Sequence, residues 1–383
     1  MHKISKPTKQ TLLFISMTTM MSNVAIVTTL PHLKEYFTAT QYIDLLSRLM
    51  ITLPSLSIAL LAPFLGHIIH AAGRKNAAVS ALLLFALAGS AGLYLETMNL
   101  LLFSRALLGV AIAVLMIVST SLVGDYFKGE ARHRFMGLQS AFVAVGGVIF
   151  VVGGGVLSDL NWRFPFGIYL IGFVFVPFVV KFLVEYGKDS DESLEENLNP
   201  NLLGIYVLAF LLMLIFYILP TQMPFLIINH FGASGTVTGA VISLAFVFNA
   251  LGALAFAKLK RKFSFEAIYL IGMGIISIGF VLIGVVDHVR YFFFTSPLMG
   301  FGGGILMTNI AAWMLHKAHH TKRVKASGYL TSSLFLGQFF SPIIFYPLVN
   351  YFGVQHFFIA VGVMIALVSS FAGILTIKAY AMK

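Results

Sequence analysis

The chain has 383 residues, 59% hydrophobic and only 10% charged, whereas about a quarter of a water-soluble domain is charged; a membrane-embedded protein is expected. It contains no cysteine, which excludes a disulfide framework, a thiol nucleophile and cysteine-ligated zinc or iron–sulfur sites. The formal net charge of +11 would suggest nucleic acid in a soluble protein, but here it follows from topology, as the loops below indicate.

A bilayer-spanning helix needs roughly 20 residues with few or no charges. Cut at its charges, the chain gives in order 10–33, 49–73, 76–95, 97–124 with Arg105 inside, 135–158 and 164–180. Next comes 197–257, a double-length run with a polar, glycine-containing turn at Asn229–Gly235. Residues 267–286 and 291–316 are single spans, and 326–377 is double again, turning at Asn350–His356. The prediction is an all-α polytopic membrane protein of 12 transmembrane helices. Lipid-facing backbone satisfies its own hydrogen bonds only in helices or closed barrels, and these runs are far too long for barrel strands.

Most of the 25 basic residues fall in segments that share one side, among them Lys3, Lys6, Lys9, Arg74, Lys75, Lys128, Arg132, Arg134, Lys258, Lys260, Arg261, Lys262, Lys317, Lys322, Arg323 and Lys325. The other side holds Lys34, Arg163 and Arg290, and the spans hold only Arg48 and Arg105. Lysine and arginine are retained on the cytoplasmic side of short loops, so both termini are predicted to be cytoplasmic. The first span is too long for a cleaved signal peptide and lacks a small-residue exit.

The acidic stretch 185–200, with Asp189, Asp191, Glu192, Glu195 and Glu196, reads as a solvated cytoplasmic linker between two six-helix halves, 1–184 and 201–383. The halves repeat. At a constant offset of 191, Phe103 pairs with Phe294, Leu107 with Leu298, Gly109 with Gly300, Leu115-Met116 with Leu306-Met307, Arg132 with Arg323, Arg134 with Lys325, Gly137 with Gly328 and Gly146 with Gly337.

After the second span stands Gly66-His67-Ile68-Ile69-His70-Ala71-Ala72-Gly73-Arg74-Lys75, which resembles the loop signature of the major facilitator superfamily. His70 and Ala71 replace that signature's acid and arginine. Arg105-x3-Gly109 in the fourth span resembles the second family signature, and Gly137, Gly146, Gly154 and Gly155 in the fifth fit the exporter signature. Phe150 and Val151 take its Gly-Pro positions, while the eleventh span carries Ser341-Pro342. Trp162-Arg163-x2-Phe166 also looks like the family, and the Gly328 to Pro342 segment is similar to helix 11 of its bacterial drug and small-metabolite efflux members. The resemblance implies two pseudo-symmetric six-helix halves, a solute bound between them near the midplane, and a cytoplasmic gate. Gly66, His70, Gly73, Arg74, Asp125, Gly146 and Pro342 are the expected gating or conformational residues, with Gly66 allowing close helix contact, Gly73 a tight turn, and Arg74 pairing with Asp125.

An arginine at bilayer depth is costly and is retained for a partner, a substrate or water. Arg105 is therefore a substrate or coupling candidate, with a structural bond to backbone carbonyls as its alternative. Arg48, four residues after Asp44, either pairs with it along the helix or serves substrate or gate. The other substrate-binding candidates are the polar residues at comparable depth: Asn23, Tyr217, Gln222, Asn249, Asn309 and Gln338. For each of them an interhelical hydrogen bond is the competing reading. Pro220 and Pro224 are expected to bend the seventh span, and Gly302–Gly304 to serve close packing. His316-x2-His319-His320 and His67-x2-His70 lie among cations and read as solvated loops rather than metal ligands.

No enzyme, cofactor or metal site is expected. The predicted function is secondary transport by alternating access, exporting a small anionic, zwitterionic or amphipathic molecule such as a drug, metabolite or metallophore. The alternative is uptake of an anionic nutrient by symport; a non-transporting sensor or an intramembrane enzyme is the third class. The expected partners are the small-molecule substrate, protons as coupling ion and the lipid bilayer, with no nucleic acid. A monomer in a bacterial inner membrane suffices.

Overall fold

A computed structural model describes residues 4–184, 202–319 and 323–381. The described residues form helices and turns, with no strand among them. The chain divides into two compact units, Met1–Asn197 and Leu198–Lys383. The predicted acidic linker at 185–200 lies outside the described residues.

The first unit contains α1 (Lys6–Val24), α2 (Leu30–Tyr36), α3 (Ile43–Ala72), α4 (Arg74–Gly89), α5 (Met98–Tyr126), α6 (Gly129–Leu160) and α7 (Ile171–Phe182). Short 3-10 segments lie at Val27–Thr29, Ser90–Leu93 and Phe164–Leu170. The second unit contains α8 (Leu203–Phe216), α9 (Ile218–Pro224), a π-helical turn at Phe225–His230, α10 (Gly235–Lys260), α11 (Phe265–Val285), α12 (Phe292–Lys317), α13 (Arg323–Phe352) and α14 (Val354–Ala381). With the short segments joined to their neighbours, these give six long helices per unit, as predicted. Eleven of them are long and apolar enough to cross a bilayer. The exception, α1, has its apolarity diluted by Lys6 and Lys9 and by Thr8, Thr11, Ser16, Thr18 and Thr19.

The first and seventh spans are interrupted at prolines. The predicted first span ends its regular helix at Val24, turns through Val27–Thr29 and resumes as α2. Pro31 has no N–H for the carbonyl of Val27, so the chain cannot carry its ladder through this point. The seventh span breaks at Tyr217 and finishes in the π-helical turn. Pro220 and Pro224, four residues apart, remove the ladder donors to the carbonyls of Phe216 and Pro220, and π turns of this kind accommodate the shifted register. Both predicted fold-backs are present, at Phe231–Ser234 and at Gly353, whose φ of +73° favours glycine.

The same crossings recur in both units: α5 packs on α3 and α4 as α12 packs on α10 and α11, α6 on α1 as α13 on α8, and α7 on α4 as α14 on α11. Two of the repeat's glycine pairs, Gly109 with Gly300 and Gly146 with Gly337, lie at these crossings, whereas a Cβ at Gly137 or Gly328 would meet nothing within 4 Å. A Cβ at Gly109 would overlap the carbonyl oxygen of Pro54, and one at Gly300 would overlap that of Ala245; both neighbours are also 191 positions apart. Gly146 faces Met17 and Gly337 faces the carbonyl of Phe210. The expected role of Gly66 needs correction. A Cβ there would meet nothing within 4 Å, so Gly66 is not at a close helix contact. The expectation for Gly302–Gly304 fits: these lie against Ile276, Phe216 and the carbonyl of Asn249 respectively.

Candidate functional site

At the basic-loop end of the first unit, Gly73 joins α3 to α4 with φ +84° and ψ 141°, a conformation that side chains rarely adopt. The turn places Arg74 at the start of α4, beside the last turn of α5, where its guanidinium forms an ion pair with Asp125. This is the pairing expected from the sequence. Arg132 of α6 completes the corner: its Nε donates to the Phe127 carbonyl at 3.0 Å and its Nη2 to that of Gly124 at 2.6 Å. It thereby caps the otherwise unpaired carbonyls that end α5. The side chain of His70 lies outside the described residues. At the repeat-related positions of the second unit stand Phe265 and His316, whose rings are 5.5 Å apart, with Trp313 stacked on Phe265. The charged corner of one unit is aromatic in the other.

Within the bundle of the first unit, Arg105 is fully buried, with 0% of its surface exposed. Its Nη2 donates to the carbonyls of Ala88 at 3.0 Å and Gly89 at 2.5 Å. The guanidinium lies 5.2 Å from the Phe166 ring centre and 5.1 Å from that of Tyr169. These carbonyls belong to the last turn of α4, where the chain passes from the α-helix into the 3-10 segment Ser90–Leu93. Gly89 and Gly92 leave the space that the Tyr169 and Phe166 rings occupy. Tyr169 also reaches the carbonyl of Met21 in α1 at 3.2 Å. Arg105 therefore fits the carbonyl-bonding alternative: it ties the end of α4 to the segment before α7. Its Nε and Nη1 have no hydrogen-bond partner among the described residues.

Arg48 is 3% exposed; its Nη1 donates to the main-chain oxygen of Asp44 and lies 3.7 Å from the Asp44 carboxylate. Lys34 of α2 reaches the same carboxylate at 2.6 Å. This is the pair along the helix that the spacing of four predicts. The side chain of Asn23 lies outside the described residues.

Sequence reading overlooked a neutral cluster in this unit. Gln139 of α6 donates through Nε2 to Ser16 Oγ of α1 at 2.5 Å and to Ser119 Oγ of α5 at 2.9 Å, and the two hydroxyls are 3.1 Å apart. Ser16 also donates to the carbonyl of Leu12. Serine is common enough in such spans to carry no signal alone; only the register of three helices makes the cluster.

In the second unit the polar candidates separate into different settings. Asn309 is buried and donates to the carbonyl of Phe265 at 2.9 Å, tying α12 to the start of α11. Asn249 is half-buried against the glycines of α12. Tyr217 and Gln222 are buried around the break between α8 and α9. Gln338 and Ser341 are buried on one face of α13, immediately before Pro342. Ser341 had been noted in the sequence only as part of a family pattern.

The family profile described as Major Facilitator Superfamily matches residues 12–205 and 205–380. The chain is 29% identical over 123 residues to the multidrug transporter protein MdtP of Bacillus subtilis (strain 168), covering 32% of this chain and 23% of that protein. It is 26% identical over 142 residues to the probable nitrate transporter NarT of Staphylococcus aureus (strain Newman), covering 35% of this chain and 34% of the relative. Both matches span well under two thirds of the relative's length. The fold matches that of a bacterial homolog to human lysosomal transporter Spinster, in an inward-facing and occupied conformation, with a TM-score of 0.77, 16% identity and 98% of each chain covered.

Proposed function

The chain belongs to the Major Facilitator Superfamily and is a multi-pass membrane transporter rather than an enzyme, and we propose that it exports a small amphipathic molecule by alternating access. The observation that carries the solute class is the engagement of both span arginines by the protein itself, Arg105 with the carbonyls of α4 and Arg48 with Asp44. The anionic and zwitterionic options lose their expected counter-charge. What remains at depth is hydroxyl and amide chemistry on an apolar background, the composition of pockets that select shape and a few hydrogen bonds. Export is supported by the multidrug relative and by the glycines of α6, of which Gly146 faces Met17 and Gly154 the carbonyl of Ala25. In this reading both termini are cytoplasmic, protons are the coupling ion in antiport, and one chain in a bacterial inner membrane suffices.

Untargeted mass spectrometry of cells and spent medium, comparing a deletion strain with an overproducer, tests direction and solute together. Export requires a solute that accumulates in deletion cells and disappears from their medium. A solute left unused in that medium overturns export. The second reading, uptake of an anionic nutrient, is favoured by the match to a probable nitrate transporter and by Arg105 Nε and Nη1, two nitrogens without a hydrogen-bond partner among the described residues; nitrate left in the deletion strain's medium is its signature.

Arg74 and Asp125 act in this reading as a latch that favours one of two conformations. Both are partly exposed, at 24% and 33%, so Asp125→Asn should cost at most about 1 kcal/mol of stability. Its expected effect is on rate: about tenfold slower transport, corresponding to a shift of about 1.4 kcal/mol between states. Arg74→Gln should match it, and the charge-swapped pair Arg74→Asp with Asp125→Arg should recover most of the loss. Wild-type rates in either single variant would remove the latch.

A further inference from the structure

One turn of α13 gathers polar groups without protein partners. Gln338 is 2% exposed and Ser341 is 0% exposed, yet Gln338 Nε2 and Ser341 Oγ have no hydrogen-bond partner among the described residues. Elsewhere on the same helix, Thr331 and Ser333 each donate to the carbonyl four residues back at 2.9 Å, the ordinary way for a hydroxyl in a helix to be satisfied. Ser341 makes no such bond. Pro342, the next residue, has no N–H to give the carbonyl of Gln338, so that oxygen lacks its ladder donor as well. Two donors, Gln338 Nε2 and Ser341 Oγ, and one acceptor, the Gln338 carbonyl, thus lie within a single turn.

The architecture does not require them. The repeat-related positions in α6 are Gly147, Phe150 and Val151, none with a polar side chain, and Phe150 and Val151 are buried. The neighbouring repeat glycine, Gly337, packs on α8 at the carbonyl of Phe210, so the helix crossing is made by the glycine and not by the polar face. An unsatisfied buried donor costs about 1–3 kcal/mol, and a fold that accepts glycine and phenylalanine at the positions related to Gln338 and Ser341 gains nothing from bearing that cost. The groups are explained when something else supplies the missing hydrogen bonds.

We propose that Gln338 and Ser341 bind the transported solute through a neutral acyl oxygen, an ester or an amide, with the Gln338 carbonyl free to accept a donor beside it. The chemistry suits this: an amide N–H and a hydroxyl one turn apart are both donors, neither side chain carries a formal charge, and an amide N–H of the solute would complete the set. This deepens the export reading and rests on it. It makes the solute an acyl-bearing amphipath rather than any apolar molecule.

The test uses full-length protein in cells whose own dye pumps are deleted, with two cationic aromatic dyes as probes: rhodamine 6G, which carries an ethyl ester, and ethidium, which carries no carbonyl. Gln338→Met and Ser341→Ala remove the donors with little change of volume. Each should slow rhodamine 6G efflux about tenfold, the equivalent of one lost hydrogen bond, and leave ethidium efflux within about twofold. The thermal midpoint of the purified variants should stay level or rise, because an apolar replacement of an unsatisfied group is neutral or stabilising. Undiminished rhodamine 6G efflux in the double variant overturns the subsite, as does equal loss of both dyes with a falling midpoint, which marks a structural role. Wild-type protein that expels ethidium but not rhodamine 6G also overturns it. Wild-type protein that expels neither dye overturns the export reading itself.

Discussion

Arg105→Leu is expected to cost the first unit about 3–5 kcal/mol of stability. The arginine bonds the carbonyls of Ala88 and Gly89 and lies between the Phe166 and Tyr169 rings, with no surface exposed. Leucine fills part of the volume but removes the guanidinium donor of two carbonyls at a buried helix end, and a hydrogen bond to a charged group is worth about 1.5–3 kcal/mol. It also removes two cation–π contacts, worth about 2 kcal/mol when desolvated. Arg105→Lys should fall between, because an ammonium keeps the charge but cannot span both carbonyls and both rings as a planar guanidinium does. The thermal midpoint of the full-length protein in detergent, followed by size-exclusion of the heated sample, measures this directly. An unchanged midpoint with loss of nitrate uptake alone would assign the guanidinium to an anionic solute and replace the export reading with the second one.

Gly109→Val and Gly300→Val form the second large effect, and the two should behave alike. At each glycine a Cβ would overlap a backbone oxygen, that of Pro54 in α3 and that of Ala245 in α10. Backbone cannot rotate away as a side-chain tip can, so the helix pair must separate along its contact. Overpacking a core costs about 1–3 kcal/mol when side chains can adjust; here they cannot, and little folded protein is expected from either variant. Gly137→Ala is the control. A Cβ there meets nothing within 4 Å, and alanine in an open helical position gains up to about 1 kcal/mol over glycine. Yields of monodisperse protein from the three variants check the claim, and a well-folded Gly109→Val or Gly300→Val protein would show that the crossings are looser than they stand here.

Much of this architecture is legible in the chain before any coordinates. Uncharged runs give the spans because crossing a bilayer is a matter of length and apolarity, both local properties. The repeat at offset 191 found its counterpart in packing where its glycines meet backbone, as Gly109 and Gly300 do at matching crossings, but not at Gly137 and Gly328, which face open space. The pairing of Arg74 with Asp125 was legible for the same reason: each sits at a helix end whose position the loop signature fixes. Arg105 was legible as exceptional but not in its use. The cost of a charge at depth says that a partner exists and not which one. Gly66 shows the converse, since a glycine in a familiar pattern does not have to be at a contact.

Taken alone, the sequence determined the membrane class, the number of long helices and the turns at Gly73 and Gly353, which depend on residues close together in the chain, and the two-unit repeat, which needs only two stretches of sequence compared with each other. Only the tertiary structure decided that Arg105 belongs to the carbonyls of α4, that Gln139, Ser16 and Ser119 meet, and that Gln338 and Ser341 are buried without partners. Hydrogen-bond partners are set by the rotation and axial register of one helix against another. Those follow from the sum of many weak packing contacts, which no single stretch of sequence carries.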